Sequence, residues 1–169
     1  PLQLRGLGIA SLISSRGCVF DCSFCSVQNF YRGAPGPRRR TRSPENVVAE
    51  MRALLEEWKV RIFVFKDDDF GTKGRRQGEW IEAFARELER RGLADQILFR
   101  VSCRVDELSR ETLSRLKDVG LAAVYVGIES GNEGGLRVFN KHYSVEDIYR
   151  ALDVLDELGI PFEFGFMLL

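Results

Sequence analysis

The sequence predicts an α/β fold built on a parallel sheet. Three observations predict it. Short apolar segments rich in β-branched and aromatic residues alternate four times with amphipathic helical segments, and a fifth apolar segment ends the chain. Helical segments open on Ser and stop at Gly92, Gly120 and Gly159. The residues with distinctive chemistry fall directly after the strands, where parallel α/β folds assemble their sites.

The first strand is expected over residues 8–14, a short apolar run suited to burial in a parallel sheet. A cysteine-bearing loop follows, and residues 30–42, rich in Gly, Pro and Arg, read as loop. Ser43-Pro44 opens a helix, Ser as N-cap and Pro at the first position, with Val47, Met51, Leu54 and Trp58 recurring along one face. The second strand, residues 61–65, runs into Lys66-Asp67-Asp68-Asp69-Phe70. A helix over residues 78–91 turns Trp80, Ile81, Phe84 and Leu88 inward. The third strand, residues 97–101, leads into Ser102-Cys103-Arg104. Ser109 caps a helix carrying Leu113 and Leu116. The fourth strand, residues 122–128, leads into Glu129-Ser130-Gly131. Ser144-Val145-Glu146-Asp147 is a capping pattern for a helix bearing Ile148, Leu152 and Leu155, and a fifth strand runs from Ile160 toward Leu169.

Composition narrows the function classes. A chain of 169 residues suffices for one domain with a substantial core. Basic and acidic residues balance at 25 each, so no global field would draw the chain to nucleic acid or to an anionic membrane. The sequence holds no 18-residue apolar run and no signal-peptide pattern, which predicts a soluble, cytoplasmic protein. Arg38-Arg39-Arg40-Thr41-Arg42 reads as a solvated basic run, with phosphate or carboxylate contact as the other reading. The lone His142 reads as a surface or structural residue, and the pair Asn140-Lys141 as solvated surface. The chain starts at Pro1 without methionine and stops inside an apolar run, so a single domain over residues 1–169, cut from a longer protein, is expected.

Chemistry concentrates in Cys18, Cys22 and Cys25, spaced C-x3-C-x2-C directly after the first strand. Thiolates are soft ligands for iron–sulfur clusters, zinc or copper(I). A loop with three of them can wrap three corners of a cubane cluster, and no fourth cysteine follows nearby to close the last iron. The spacing departs from the C-x2-C-x2-C-x3-C run of bacterial ferredoxins. Two other readings stay open: a zinc site of three cysteines with His142, and a non-catalytic electron-transfer or structural module. A disulfide staple does not suit cysteines this close together in a chain with no sign of secretion.

With Phe24 before the third cysteine, the motif resembles that of the radical S-adenosylmethionine (SAM) superfamily. The resemblance implies a partial (β/α)6 barrel, of which this chain would cover about five strands. It implies a [4Fe–4S] cluster on Cys18, Cys22 and Cys25 that reductively cleaves SAM to a 5′-deoxyadenosyl radical, which abstracts a substrate hydrogen. Asp67-Asp68-Asp69-Phe70 stands where many relatives carry Gly-Gly-Glu and looks like the Asp-Asp-x-Phe of cobalamin-dependent branches. One of these aspartates, Asp67 and Asp68 foremost, would take the SAM amino group, and the sequence does not decide which of Asp67 to Asp69 it is. Arg104 would bind the SAM carboxylate or else pair with Asp106 or Glu107. Glu129 and Ser130 resemble the motif whose polar side chains approach SAM, and Phe166 the segment that packs on adenine. Cys103 is expected to be no ligand. The implied cofactors are the cluster, SAM and a cobalamin held by a missing domain. The implied partners are a flavodoxin- or ferredoxin-like reductant and a small-molecule or peptide substrate. Methyl transfer is the reaction the aspartate motif points to; a nucleic-acid methylthiotransferase is the alternative, supported locally only by the arginine run.

Overall fold

The computed structural model describes residues 2–4, 6–33, 35–71 and 73–168. Six strands form one curled sheet in the order β1-β2-β5-β6-β7-β8: β1 (Leu2–Leu4), β2 (Leu7–Leu12), β5 (Val60–Phe65), β6 (Leu98–Arg104), β7 (Leu121–Glu129) and β8 (Phe162–Phe166). The five strands from β2 onward are parallel, as the βα alternation requires. β1 was not foreseen and pairs antiparallel with β2, making the sheet mixed. All three of its residues are exposed, so it carries no buried alternation to read in sequence. β2 ends at Leu12, two residues before the expected limit. Ser14 and Ser15 leave the sheet to donate hydrogen bonds to Asp67.

Two short strands, β3 (Ser15–Arg16) and β4 (Arg40–Thr41), form a separate antiparallel ribbon, and α1 (Val27–Tyr31) lies between them, inside sequence that reads as loop. The crossovers between parallel strands are α2 (Pro44–Trp58), α3 (Arg75–Arg90), α4 (Arg110–Asp118) and α6 (Val145–Glu157); a short α5 (Glu133–Val138) precedes the last. A 3-10 turn over Val105–Glu107 follows β6. Ser43 accepts from the Asn46 amide at 3.3 Å, and Ser144 and Asp147 complete a reciprocal capping box. Ser109 holds the N-cap position of α4 without a side-chain cap hydrogen bond.

Strand parity divides the sheet. Phe63, Phe65, Phe99, Val101, Val124 and Val126 are buried against Val48 and Met51 of α2, Phe84 and Leu88 of α3, and Leu113 and Leu116 of α4. Phe65 meets Phe70, Phe84 and Phe99 edge-on at 5.4–6.0 Å. Truncating one such ring would cost about 3–5 kcal/mol. Trp80 stacks on Phe84 at 5.2 Å, but Trp58 is exposed because it is the final residue of α2, beyond the sheet. The opposite face carries Arg100, Ser102, Tyr125 and Glu163, with Arg100 donating to Glu163 at 2.7 Å. Polar side chains on that face leave a concave surface leading up to the strand ends.

A cysteine-lined cleft at the carboxyl ends of the strands

The cysteine loop starts where only glycine fits. Gly17 has φ +86°, and a Cβ there would lie 1.9 Å from the Arg38 carbonyl oxygen. The backbone leading into β4 therefore packs directly on the residue before Cys18. Gln28 of α1 donates to the carbonyl of Cys18 at 2.7 Å and to that of Phe20, and the Cys25 amide donates to the Cys22 carbonyl at 3.1 Å. From the other side, the end of α5 clasps the loop. Ser23 donates from its amide to Phe139 O (3.1 Å) and from its hydroxyl to Val138 O (2.6 Å), and Asn140 donates to Asp21 O at 3.0 Å. His142 is exposed, faces the Asp21 carboxylate at 3.2 Å and is not part of the lining of the cysteines' cleft.

Cys18, Cys22 and Cys25 are each part-buried and line one cleft of about 180 Å³. Phe24, Asp68, Asp69, Arg104, Glu129 and Lys141 complete the walls used below. Burial, reinforced by the charge of Asp69, pushes the Cys18 thiol up to about 11. Among the described residues no three His, Cys, Asp or Glu side chains converge where a single ion would sit. Three thiols spread around one cleft suit a group of several atoms, each sulfur meeting its own corner.

The three aspartates after β5 have three different roles. Asp67 is buried, and its carboxylate accepts from the amides and hydroxyls of both Ser14 and Ser15. It ties β5 to the start of the cysteine loop and lies outside the cleft lining. Asp68 accepts from the Gly17 amide at 2.7 Å and faces the cleft. Asp69, also in the cleft wall, keeps Oδ1 buried without a hydrogen-bond partner among the described residues, and burial raises its carboxyl above the usual carboxylate range. An acceptor in that position is unsatisfied until a donor arrives.

Arg104, at the end of β6, forms the ion pair that the sequence left open. Its Nε and Nη2 donate to Asp106 at 2.9 and 3.1 Å, and Nη2 also donates to the Lys141 carbonyl. Its Nη1 lies 2.9 Å from Cys22 Sγ, and its guanidinium covers the Phe20 ring at 3.8 Å. Arg104 thus acts as a fixed cation beside a cysteine. Glu129 ends β7 at φ +66°, beside a register shift against β8, which aims its carboxylate into the cleft.

Two other expected residues, Ser130 and Phe166, lie outside the cleft lining. Ser130 is buried beneath α5, its hydroxyl accepting from the Asn132 amide at 3.3 Å and sitting where a Cβ on Gly135 would clash at 2.2 Å. It does not line the cleft, because the left-handed turn at Glu129 carries the chain away. Phe166 packs edge-on to Phe164 at 5.5 Å, half-exposed, and is also outside the cleft lining. Phe24 lies edge-on to Phe139 at 5.5 Å at the cleft mouth. Lys141 was read as surface and is instead buried, its Nζ 5.6 Å from the Phe24 ring centre. The left-handed residues on either side, Asn140 (φ +54°) and His142 (φ +60°), hold it inward. Two residue types that tolerate positive φ flanking a lysine were the available signal.

The family description for the radical SAM superfamily matches residues 12–169. The chain belongs to the radical SAM superfamily. It is 34% identical over 164 residues to the anaerobic magnesium-protoporphyrin IX monomethyl ester cyclase of Cereibacter sphaeroides, covering 96% of this chain and 25% of that protein. It is 32% identical over 151 residues to the hopanoid C-3 methylase of Methylococcus capsulatus, covering 89% and 27%. The chain therefore spans about a quarter of these relatives. Among solved structures, the methyltransferase TsrM of Kitasatospora setae, with cobalamin and a [4Fe–4S] cluster bound, superposes with a TM-score of 0.76 at 23% identity, over 95% of this chain and 31% of that one. The cobalamin-dependent radical enzyme OxsB, with aqua-cobalamin and SAM bound, gives 0.75 at 23% identity, over 93% and 23%. These likenesses establish the partial radical SAM barrel. Radical SAM enzymes use a [4Fe–4S] cluster and SAM, and the donor set here fits both: three thiols on one loop, with carboxylates and an ammonium opposite them.

Proposed function

We propose that this chain is the radical-generating domain of a cobalamin-dependent radical SAM enzyme, acting in methyl transfer or a related carbon-centred modification. The observation that carries the reading is the single cleft shared by Cys18, Cys22, Cys25, Asp68, Asp69, Glu129 and Lys141. Bound together, the cluster and SAM supply a one-electron cleavage that delivers a carbon radical to the substrate. Cys18, Cys22 and Cys25 would hold the cluster. Asp69 Oδ1 and Asp68 would accept hydrogens from the SAM ammonium, and Lys141 offers a cationic end to the cleft, its 3.6 Å pair with Glu129 being looser than the 2.9 Å pair that fixes Arg104 on Asp106. Glu129 holds that ammonium in position. Phe24 limits water at the mouth of the cleft, which strengthens each of these charge contacts. Asp67, Ser130 and Phe166 support the fold around the cleft in this reading. Cobalamin enters it from the relatives' chemistry, and another part of the full protein would hold it.

The experiment is anaerobic reconstitution followed by reductive turnover. The reading predicts about four irons per chain, as a cubane requires, and 5′-deoxyadenosine formed from SAM on addition of a reductant. A chain that takes up zinc alone under these conditions, or that binds a cluster without any affinity for SAM, contradicts it and favours the structural or electron-transfer module.

A further inference from the structure

The cysteine loop has a second, outer side. A separate cleft of about 330 Å³ is lined there by Cys18, Asp21, Tyr31, Arg32, Arg38 and Arg40, among others. Of the three loop cysteines, Cys18 alone borders both this cleft and the inner one. Charge is segregated around it. Residues 17–44 contain five arginines and a single acid, Asp21, in a chain whose basic and acidic residues are equal in number overall. Two of the arginines serve the fold: Arg39 donates to the Phe70 carbonyl, and Arg42 pairs with Glu50 at 2.6 Å. Asp21 faces His142.

The other three, Arg32, Arg38 and Arg40, are exposed, as is Arg16 just before this segment, and none of the four forms an ion pair among the described residues. Arg16 and Arg40 stand directly opposite each other in the β3–β4 ribbon. Like charges at paired positions of a ribbon repel and destabilise it. A surface built this way gains stability when acidic groups approach. Phe30, 79% exposed and edge-on to Tyr31 at 4.9 Å, adds an apolar contact beside the arginines. Arginines around an exposed aromatic are the composition of a protein-binding surface.

We infer that this arginine rim is the docking surface for an acidic one-electron carrier protein, which passes its electron to the cluster through the Cys18 side of the loop. The inference rests on the function proposed above and extends it by naming the partner's face. One electron leaves the carrier, which is oxidised, and enters the cluster, which is reduced; no bond forms or breaks and no proton moves. Entry from the outer side keeps the donor clear of the inner cleft. A nucleic acid is the lesser fit to a patch this small on a chain with no net charge.

The test uses a flavodoxin as probe, with two readouts. The first is its affinity for the protein by biolayer interferometry at low and high salt, which needs no bound cluster. The second is the rate at which its hydroquinone bleaches the reconstituted cluster in stopped flow, compared with reduced methyl viologen, a small cation that needs no docking. Arg32→Glu/Arg38→Glu should weaken flavodoxin binding and slow its electron transfer about tenfold or more, an effect that shrinks at high salt. Methyl viologen should reduce the variant as fast as the native protein. Arg52→Glu on α2, a remote charge reversal, should change neither readout. Should the double variant fold poorly, Arg32→Ser, at an exposed position without an ion pair, should still lower the affinity. Equal flavodoxin affinity and rate in native protein and Arg32→Glu/Arg38→Glu overturn the inference, as does a patch that binds an RNA oligonucleotide in place of flavodoxin. Failure to load any cluster would remove the proposed function while leaving the binding readout to decide this surface.

Discussion

Lys141 Nζ lies 3.6 Å from Glu129 Oε1, within the wall that faces the three cysteines. Only 2% of Lys141 is exposed, and burial lowers its ammonium below the usual lysine range, opposed by the negative groups around it. Both residues are held by left-handed backbone at or beside them, a conformation that costs about 1–3 kcal/mol where it persists. The fold holds these two charges at the cleft at some cost in backbone strain.

Lys141→Met should therefore weaken SAM binding by one to two decades, since a hydrogen bond to a charged group is worth about 1.5–3 kcal/mol. Iron content should stay the same. Titration calorimetry on reconstituted protein reads both, and native affinity in Lys141→Met would reduce the lysine to a counter-charge for Glu129.

The aspartates should separate cleanly. Asp67→Asn replaces one of the two carboxylate oxygens that accept from Ser14 and Ser15 with an NH2 donor facing donors, and should lower stability by about 1–3 kcal/mol, with poorer iron loading because the loop's anchor is weakened. Asp69→Asn should keep the iron and lose SAM affinity. Thermal melts beside iron assays check the pair; identical behaviour of the two variants would remove the distinction drawn between them.

Glu107 makes stability depend on pH. Burial, with the charges of Asp69 and Asp106, pushes its carboxyl from 4.5 up to about 7, Arg39 opposing. The native chain thus holds a proton that the unfolded chain has released, so this group's contribution falls as pH rises from about 4.5 to 7. Screening of a part-exposed group leaves about 1 kcal/mol of that shift as stability. Glu107→Gln should raise the melting temperature at pH 8 more than at pH 5. Urea melts at both values check the sign, and an equal effect at the two would contradict it.

Strand and helix periodicity made the parallel sheet, its four main crossovers and the strand-end location of the site legible, because each depends on local pattern. β1, α1 and α5 escaped that reading. They are short, and β1 and α1 bury none of their residues, so periodicity leaves no trace in them. The cysteine motif needed no structure to locate. The division of labour among Asp67, Asp68 and Asp69 did, since it depends on which carboxylate meets the amides and hydroxyls of Ser14 and Ser15, more than 50 residues away. Lys141 looked like surface because its burial follows from a loop conformation, and the position of Ser130 beneath α5, outside the cleft lining, follows from the turn at Glu129, which the motif does not encode.

Cys103 bears on the central claim, because a fourth thiolate would saturate the cluster and exclude SAM. It is buried within the core cluster yet borders the cleft, and burial holds its thiol far above the usual range. The electron paramagnetic resonance spectrum of the reduced cluster, recorded with and without SAM in native protein and in Cys103→Ser, separates the two cases. SAM should perturb both spectra, and the substitution alone should change little. A native spectrum indifferent to SAM, together with a cluster lost in Cys103→Ser, would make this domain an electron carrier with four protein thiolates.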